Sequence, residues 1–175
     1  GVPIVLAGTG PGMLSAGGAV ADGVLTWMCD ESYLAEVVFP AVARGAAAAA
    51  RPVPPVTAGV IVCVCDDAGR GRAALAPRLA PLGGYDSYQA VLSYGAAAAR
   101  EPVDVAVVGT EAEVAAAFGR LAAIGVSELV AVVLPDPADP AGSAGRARRL
   151  LASLAARPQP QATARSSGSN SGGGA

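Results

Sequence analysis

The 175-residue sequence contains no histidine and no lysine, and all 12 of its basic side chains are arginine. These absences exclude a lysine Schiff base, a phosphate-loop lysine, Ser-His or Cys-His nucleophile activation and any histidine-ligated metal site. Chemistry in this chain therefore falls to a bound cofactor or to residues outside it. Aromatic residues are scarce, with Trp27, Phe39, Phe118 and four tyrosines making up 4% of the chain. The 53% hydrophobic content includes 41 alanines, which favour helices but bury little area, so the core is thin for the length. With 14 acidic residues against 12 basic ones, the net charge is −2, which argues against a nucleic-acid partner and a polyanionic tail. No apolar run reaches the roughly 18–20 residues of a membrane span, because Gly, Asp and Pro interrupt every stretch. Gly1-Val2-Pro3 has neither a basic region nor an initiator Met, so it does not read as a signal peptide, and the chain starts as if cut from something longer. The three cysteines, at 29, 63 and 65, form neither an even disulfide set nor a CxxC pair. Cys63 and Cys65 alternate with Val62 and Val64, which predicts core thiols in a reducing cytoplasm.

What is present is an alternation of short apolar runs and helical patterns. Val2 to Ala7 reads as a buried strand ending in the turn Gly8-Thr9-Gly10-Pro11-Gly12, and a helix is expected from about Met13 to Ala21. Asp22-Gly23 marks a turn, Val24 to Met28 a second strand, and Asp30 the cap of a helix that Pro40 kinks or splits. After the Pro-rich connector Arg51 to Pro55, Thr57 to Cys65 makes a third strand. Asp66 or Asp67 caps the next helix, limited by Pro77 and Pro81, and Tyr85, Tyr88, Val91 and Leu92 share one face of a short helix. Thr110-Glu111-Ala112-Glu113 is a capping box, Gly125 a left-handed stop, and Glu128 to Leu134 a fourth strand. A last helix spans about Ser143 to Ala156, and from Pro158 the Pro/Gln/Ser/Gly-rich composition predicts a disordered tail. The pattern divides the chain into an ordered part, residues 1–157, and a tail, 158–175. Four strand-helix units with strands apolar on both faces imply a parallel α/β sheet covered by helices. That is half of the eight units of a (β/α)8 barrel.

The Gly8 to Gly12 turn is the strongest candidate site, since a Gly-rich turn at a helix N-terminus offers free N–H groups and a positive dipole end to a phosphate. A plain βα turn that favours glycine is the competing reading. A Rossmann-type NAD(P)-binding module is another alternative, because Gly8-x-Gly10 follows a strand and Asp30 lies 20 residues after Gly10. Against it stand Met13, where the third glycine belongs, and Pro11, which lacks the N–H expected in that turn.

Three segments carry a family resemblance: Pro3-Ile4-Val5-Leu6-Ala7-Gly8-Thr9-Gly10-Pro11-Gly12-Met13-Leu14, then Ala21-Asp22-Gly23-Val24-Leu25, then Phe39-Pro40-Ala41-Val42 with Gly45-Ala46-Ala47. Together they resemble the C-terminal half of luciferase-like monooxygenases, most closely the branch of oxidoreductases using coenzyme F420. The order continues through Val60 to Asp67, Val108-Gly109-Thr110 and Gly125 to Val130, so the resemblance covers about residues 2 to 156. It implies half of a TIM barrel, strands five to eight, with the turn after the first of these binding F420, or alternatively FMN. By that resemblance Thr9, Gly10 and Gly12 are cofactor-turn positions, and Trp27 is a second cofactor contact. Trp27 and Asp30 depart from the small hydroxyl residue and the phosphate-binding Lys of relatives acting on sugar phosphates. The resemblance thus carries over no phosphorylated substrate. Each residue also has a structural reading: Trp27 packing a strand end, Asp22 a turn acid, Asp30 a helix cap. Arg148 aligns loosely with an anion-binding Arg, yet an Arg cluster on a helix is usually a solvated face. Tyr85, Tyr88 and Tyr94 are candidates for a substrate pocket.

The resemblance implies an F420- or FMN-dependent oxidoreductase or monooxygenase acting on a small molecule, with the acid and base residues in the other half of the barrel. Expected partners are that missing N-terminal half or a second copy of the chain, with neither nucleic acid nor membrane. The rivals are a non-catalytic fragment or remnant of the family and the Rossmann-like module. Strand order discriminates between them, because a reversal beside the Gly8 turn would defeat the barrel reading.

Overall fold

A computed structural model describes residues 1–95 and 100–156, and the tail expected at 158–175 lies outside the described residues. Five parallel strands form one sheet: β1 (Val5–Ala7), β2 (Gly23–Trp27), β3 (Val56–Val64), β4 (Val107–Gly109) and β5 (Glu128–Val133). The helices are α1 (Pro11–Val20), α2 (Glu31–Tyr33), α3 (Phe39–Ala48), α4 (Ala68–Leu79), α5 (Asp86–Leu92), α6 (Glu111–Ala123) and α7 (Pro140–Ala155). The expected alternation is present with one addition, β4, which the sequence reads only as a turn before a helix. Three residues are too few to show a period, and β4 exists because its backbone pairs with Val62 to Val64 at the far end of β3.

Strand β3 organises the sheet. Its first half pairs with β2 (Val24↔Val56 to Trp27↔Gly59) and its last residues with β4, while β5 runs along Thr57 to Val62. Thr57 to Gly59 pair with both β2 and β5, and Val62 with both β4 and β5. It follows that β2 and β4 share one edge of β3 and β5 takes the other. Among the described residues β1 has a single neighbour, β2, with no reversal of order beside the turn that follows it. That corrects the Rossmann-like alternative, which needs strands on both sides of the dinucleotide turn.

The two faces of the sheet differ. On one, Val24, Val56, Ala58, Val60, Val62 and Val64 pack against Leu14, Leu34, Val42, Val114 and Phe118 under the helices. On the other, Ile61, Cys63 and Val108 are covered by Leu75, Leu79 and Val103, but beyond that patch the face is open among the described residues. Val5 is 56% exposed, and Val130 and Val132 are 45% and 39% exposed. The expected cover on both faces is therefore complete on only one.

Local signals behave largely as their chemistry dictates. Before Pro40, which has no N–H to donate, the helical path widens into a π turn over Leu34–Val38 and resumes as α3. Helix α4 runs through Pro77 and ends at Leu79, ahead of Pro81. Gly125 adopts φ +107° after α6, a conformation that disfavours any Cβ. Helices α1 and α3 touch backbone to backbone: a Cβ on Gly18 would strike the Val42 carbonyl oxygen, and one on Gly45 the Ser15 carbonyl oxygen.

Candidate functional site

Every helix that follows a strand is capped by a side chain except α1. Asp30 Oδ1 accepts the Tyr33 N–H at 2.8 Å, Asp67 Oδ1 the Arg70 N–H at 3.0 Å, and Asp139 Oδ1 the Gly142 N–H at 3.1 Å. Thr110 and Glu113 form the reciprocal box, Glu113 N–H to Thr110 Oγ1 at 3.4 Å and Thr110 N–H to Glu113 Oε2 at 2.8 Å. Helix α1 begins instead at Gly10-Pro11 with no side-chain acceptor. Among the described residues nothing takes up the N–H groups of Gly10, Gly12 or Met13. A Cβ built on Gly10 or Gly12 meets no atom within 4 Å, so there is room beside the turn. Unsatisfied donors at the positive end of a helix are the arrangement that binds phosphate.

The turn is held from behind. Gly8 N–H donates to the Leu25 carbonyl at 3.0 Å, which ties it to β2 two residues before Trp27. The Thr9 hydroxyl donates to the Ser87 carbonyl of α5 at 3.0 Å, and the Thr9 carbonyl accepts from the Tyr33 hydroxyl at 2.9 Å. Trp27, half-buried at the end of β2, lies over Gly59 on the open face, and Met28 follows it with φ 56°. Thr9, Gly10 and Gly12 thus follow the C-terminal end of β1, and Trp27 ends β2, the strand paired with it.

The remaining candidates take structural places. Asp30 caps α2 and pairs with Arg100, while Asp22 accepts the Ile4 N–H at 2.8 Å at the opposite end of the sheet. Tyr85 is 59% exposed and meets Tyr88 edge to face at 6.2 Å. Arg148 is exposed, as the solvated-face reading has it. The organised arginine of that cluster is Arg146, which the sequence reading passed over. It grips Glu111 at 2.7 and 2.6 Å and Asp66 at 2.8 Å, and it holds the Glu111 carboxyl down at about 2. A second unforeseen pair joins Arg70 to Asp136 at 2.8 Å, the acid being only 4% exposed. Acids just past the ends of β3 and β5 were the available signal, since such groups need cationic partners once strands converge.

All three cysteines are buried and free. Burial pushes the Cys29 thiol up to about 12 and Cys63 up to about 11, and raises Cys65, so they are protonated core groups and not nucleophiles. Among the described residues no cluster of acids and cysteines could hold a metal ion, and no helix is long and apolar enough to cross a membrane. A cleft of about 440 Å3, bordered by Asp30, Arg72, Val107 and Arg120, lies apart from the turn. Its arginines are already engaged: Arg120 with Glu31 at 2.7 Å, Arg72 with the carbonyls of Val103 and Ala106 at 3.0 and 3.1 Å.

Fold and turn together define a parallel α/β protein whose uncapped helix terminus stands at the C-terminal end of its strands, where such folds receive phosphate-bearing ligands. The family model for luciferase-like monooxygenases matches residues 1–128, and the chain belongs to that family. Among solved structures it is similar to an F420-dependent secondary alcohol dehydrogenase in complex with an F420-acetone adduct. The identity is 16% and the TM-score 0.66, over 88% of this chain and 49% of that one. It is also similar to the coenzyme F420-dependent tetrahydromethanopterin reductase from Methanopyrus kandleri, at 21% identity and TM-score 0.56, over 78% and 45% of the two chains. A riboflavin lyase with modified FMN and riboflavin matches at 18% identity and TM-score 0.58, over 86% and 43%. No curated protein matches at the level of sequence. The chain spans about half the length of the structures it resembles.

Proposed function

We propose that the chain is the cofactor-holding half of a luciferase-like oxidoreductase that uses F420 or FMN and acts on a small molecule. The observation that carries this reading is the uncapped start of α1, whose Gly10, Gly12 and Met13 N–H groups have no partner among the described residues, with room beside both glycines. The backbone of Thr9, Gly10 and Gly12 would hold the cofactor phosphate, and Trp27 would pack against the cofactor on the open face. When bound, the flavin or deazaflavin supplies the hydride or oxygen chemistry, and the protein binds and orients it.

A half-barrel reading is supported by the sequential order β1, β2, β3 and then β5, by the uncovered face bearing Val5, Val130 and Val132, and by solved relatives twice as long. A complementary (β/α) half is the partner that this face suits, and that half is where we assign the acid and base residues. Because Trp27 is the single tryptophan, its fluorescence reports on the site. Titration with F420, FMN and NAD(P)H should show quenching by F420 or FMN. Binding of NAD(P)H alone would overturn the assignment, and binding of none would favour a non-catalytic remnant. Gly10→Val points its side chain into empty space and should leave the fold intact while weakening cofactor binding; unchanged affinity would remove the turn from the site.

A further inference from the structure

We propose that Tyr33 is a positioning residue for the anion subsite at the start of α1. The inference rests on the reading that a cofactor phosphate binds there. Tyr33 is 2% exposed, and its backbone N–H is held by the Asp30 carboxylate at 2.8 Å. Its ring meets the Tyr94 ring edge to face at 5.2 Å and 88°. Packing of this kind requires only the ring, so a phenylalanine would satisfy it. The buried hydroxyl is the informative group, because it must find an acceptor, and the one it takes is the Thr9 carbonyl at 2.9 Å.

That carbonyl belongs to the same peptide unit as the Gly10 N–H, one of the three free donors of the turn. A hydrogen bond received by the carbonyl polarises the unit and makes its N–H a stronger donor. It also fixes the plane of the unit, so that this N–H keeps one orientation at the start of α1. The Thr9 hydroxyl, anchored to Ser87 at 3.0 Å, steadies the same residue from the side of α5. Burial raises the Tyr33 phenol above its ordinary range, which keeps it a donor at physiological pH.

The test compares FMN with riboflavin, which lacks the phosphate, on the full purified chain. Native protein should bind FMN more tightly than riboflavin. Tyr33→Phe should lose about two- to threefold in FMN affinity, a fraction of one charge-assisted hydrogen bond because the Tyr33 bond exists with and without ligand, with riboflavin affinity unchanged. Tyr94→Phe, whose hydroxyl donates to Glu36 at 2.7 Å away from the turn, should leave the FMN to riboflavin ratio as it was. Equal loss of both ligands in Tyr33→Phe, or no loss of either, would overturn the role of the hydroxyl. Native protein that binds both equally, or neither, would overturn the phosphate reading itself and the inference with it. Chain bearing 3-fluorotyrosine in place of tyrosine keeps every ring but has a more acidic phenol. Its preference for FMN should rise, and a fall or no change would contradict the proposal even if Tyr33→Phe failed to fold.

Discussion

Two strands of this protein run into the dipeptide Gly-Thr, and the helices that follow begin in opposite ways. At Gly109-Thr110 the threonine turns onto its own helix and closes a reciprocal box with Glu113, satisfying the first donors of α6. At Gly8-Thr9 the threonine turns away to Ser87, Pro11 follows, and α1 starts with its donors unclaimed. Helix α6 is thus secured at its end, whereas α1 is secured along its length by the backbone contact with α3 at Gly18 and Gly45. The open terminus is compatible with a stable helix because packing, not capping, holds it.

The largest effect should come from breaking that packing. Gly45→Val would drive a side chain into the Ser15 carbonyl, costing about 3 kcal/mol or more and lowering the melting temperature steeply. A melting curve within a degree or two of native would mean that α1 is held some other way. Next, Gly10→Asp would make α1 resemble the capped helices. Stability should change by only a few tenths of a kcal/mol, while an introduced carboxylate in front of the free donors should weaken FMN binding at least tenfold, about 1.4 kcal/mol. Affinity that survives this change would show that the phosphate is bound elsewhere.

Thr110→Ala removes the cap that α1 never had, and should cost about 1 kcal/mol in chemical denaturation without touching cofactor affinity. The smallest effect concerns the neighbouring Glu111, whose carboxyl is held at about 2 by Arg146, below its ordinary 4.5. A depressed acid contributes stability above its unfolded value and loses it as pH falls through the folded one. Glu111→Gln should therefore be slightly less stable than native above about pH 4.5, with the gap closing toward pH 2; a constant gap would mean the pair contributes nothing.

Features of the fold set by neighbours in sequence were legible. Asp30 and Thr110 cap as their positions predict, Gly125 stops α6 with positive φ, and Pro40 is answered by a π turn. Features made by residues distant in sequence were not. Strand β4 exists through its pairing with β3, Gly18 and Gly45 matter because two helices cross there, and Arg146 meets Asp66 across 80 positions. At the candidate site the glycine turn could be named from residue order, and Trp27 only through the family resemblance. Tyr33 could not, because nothing in its local pattern indicates that its hydroxyl reaches back 24 residues to Thr9.

The contrast between the two Gly-Thr turns can be read directly from backbone amide resonances during a titration with FMN. The Gly10, Gly12 and Met13 N–H signals should shift and saturate together while those of Glu111 and Ala112 stay in place. FMN binding that leaves the three α1 amides unmoved would contradict a phosphate site at α1.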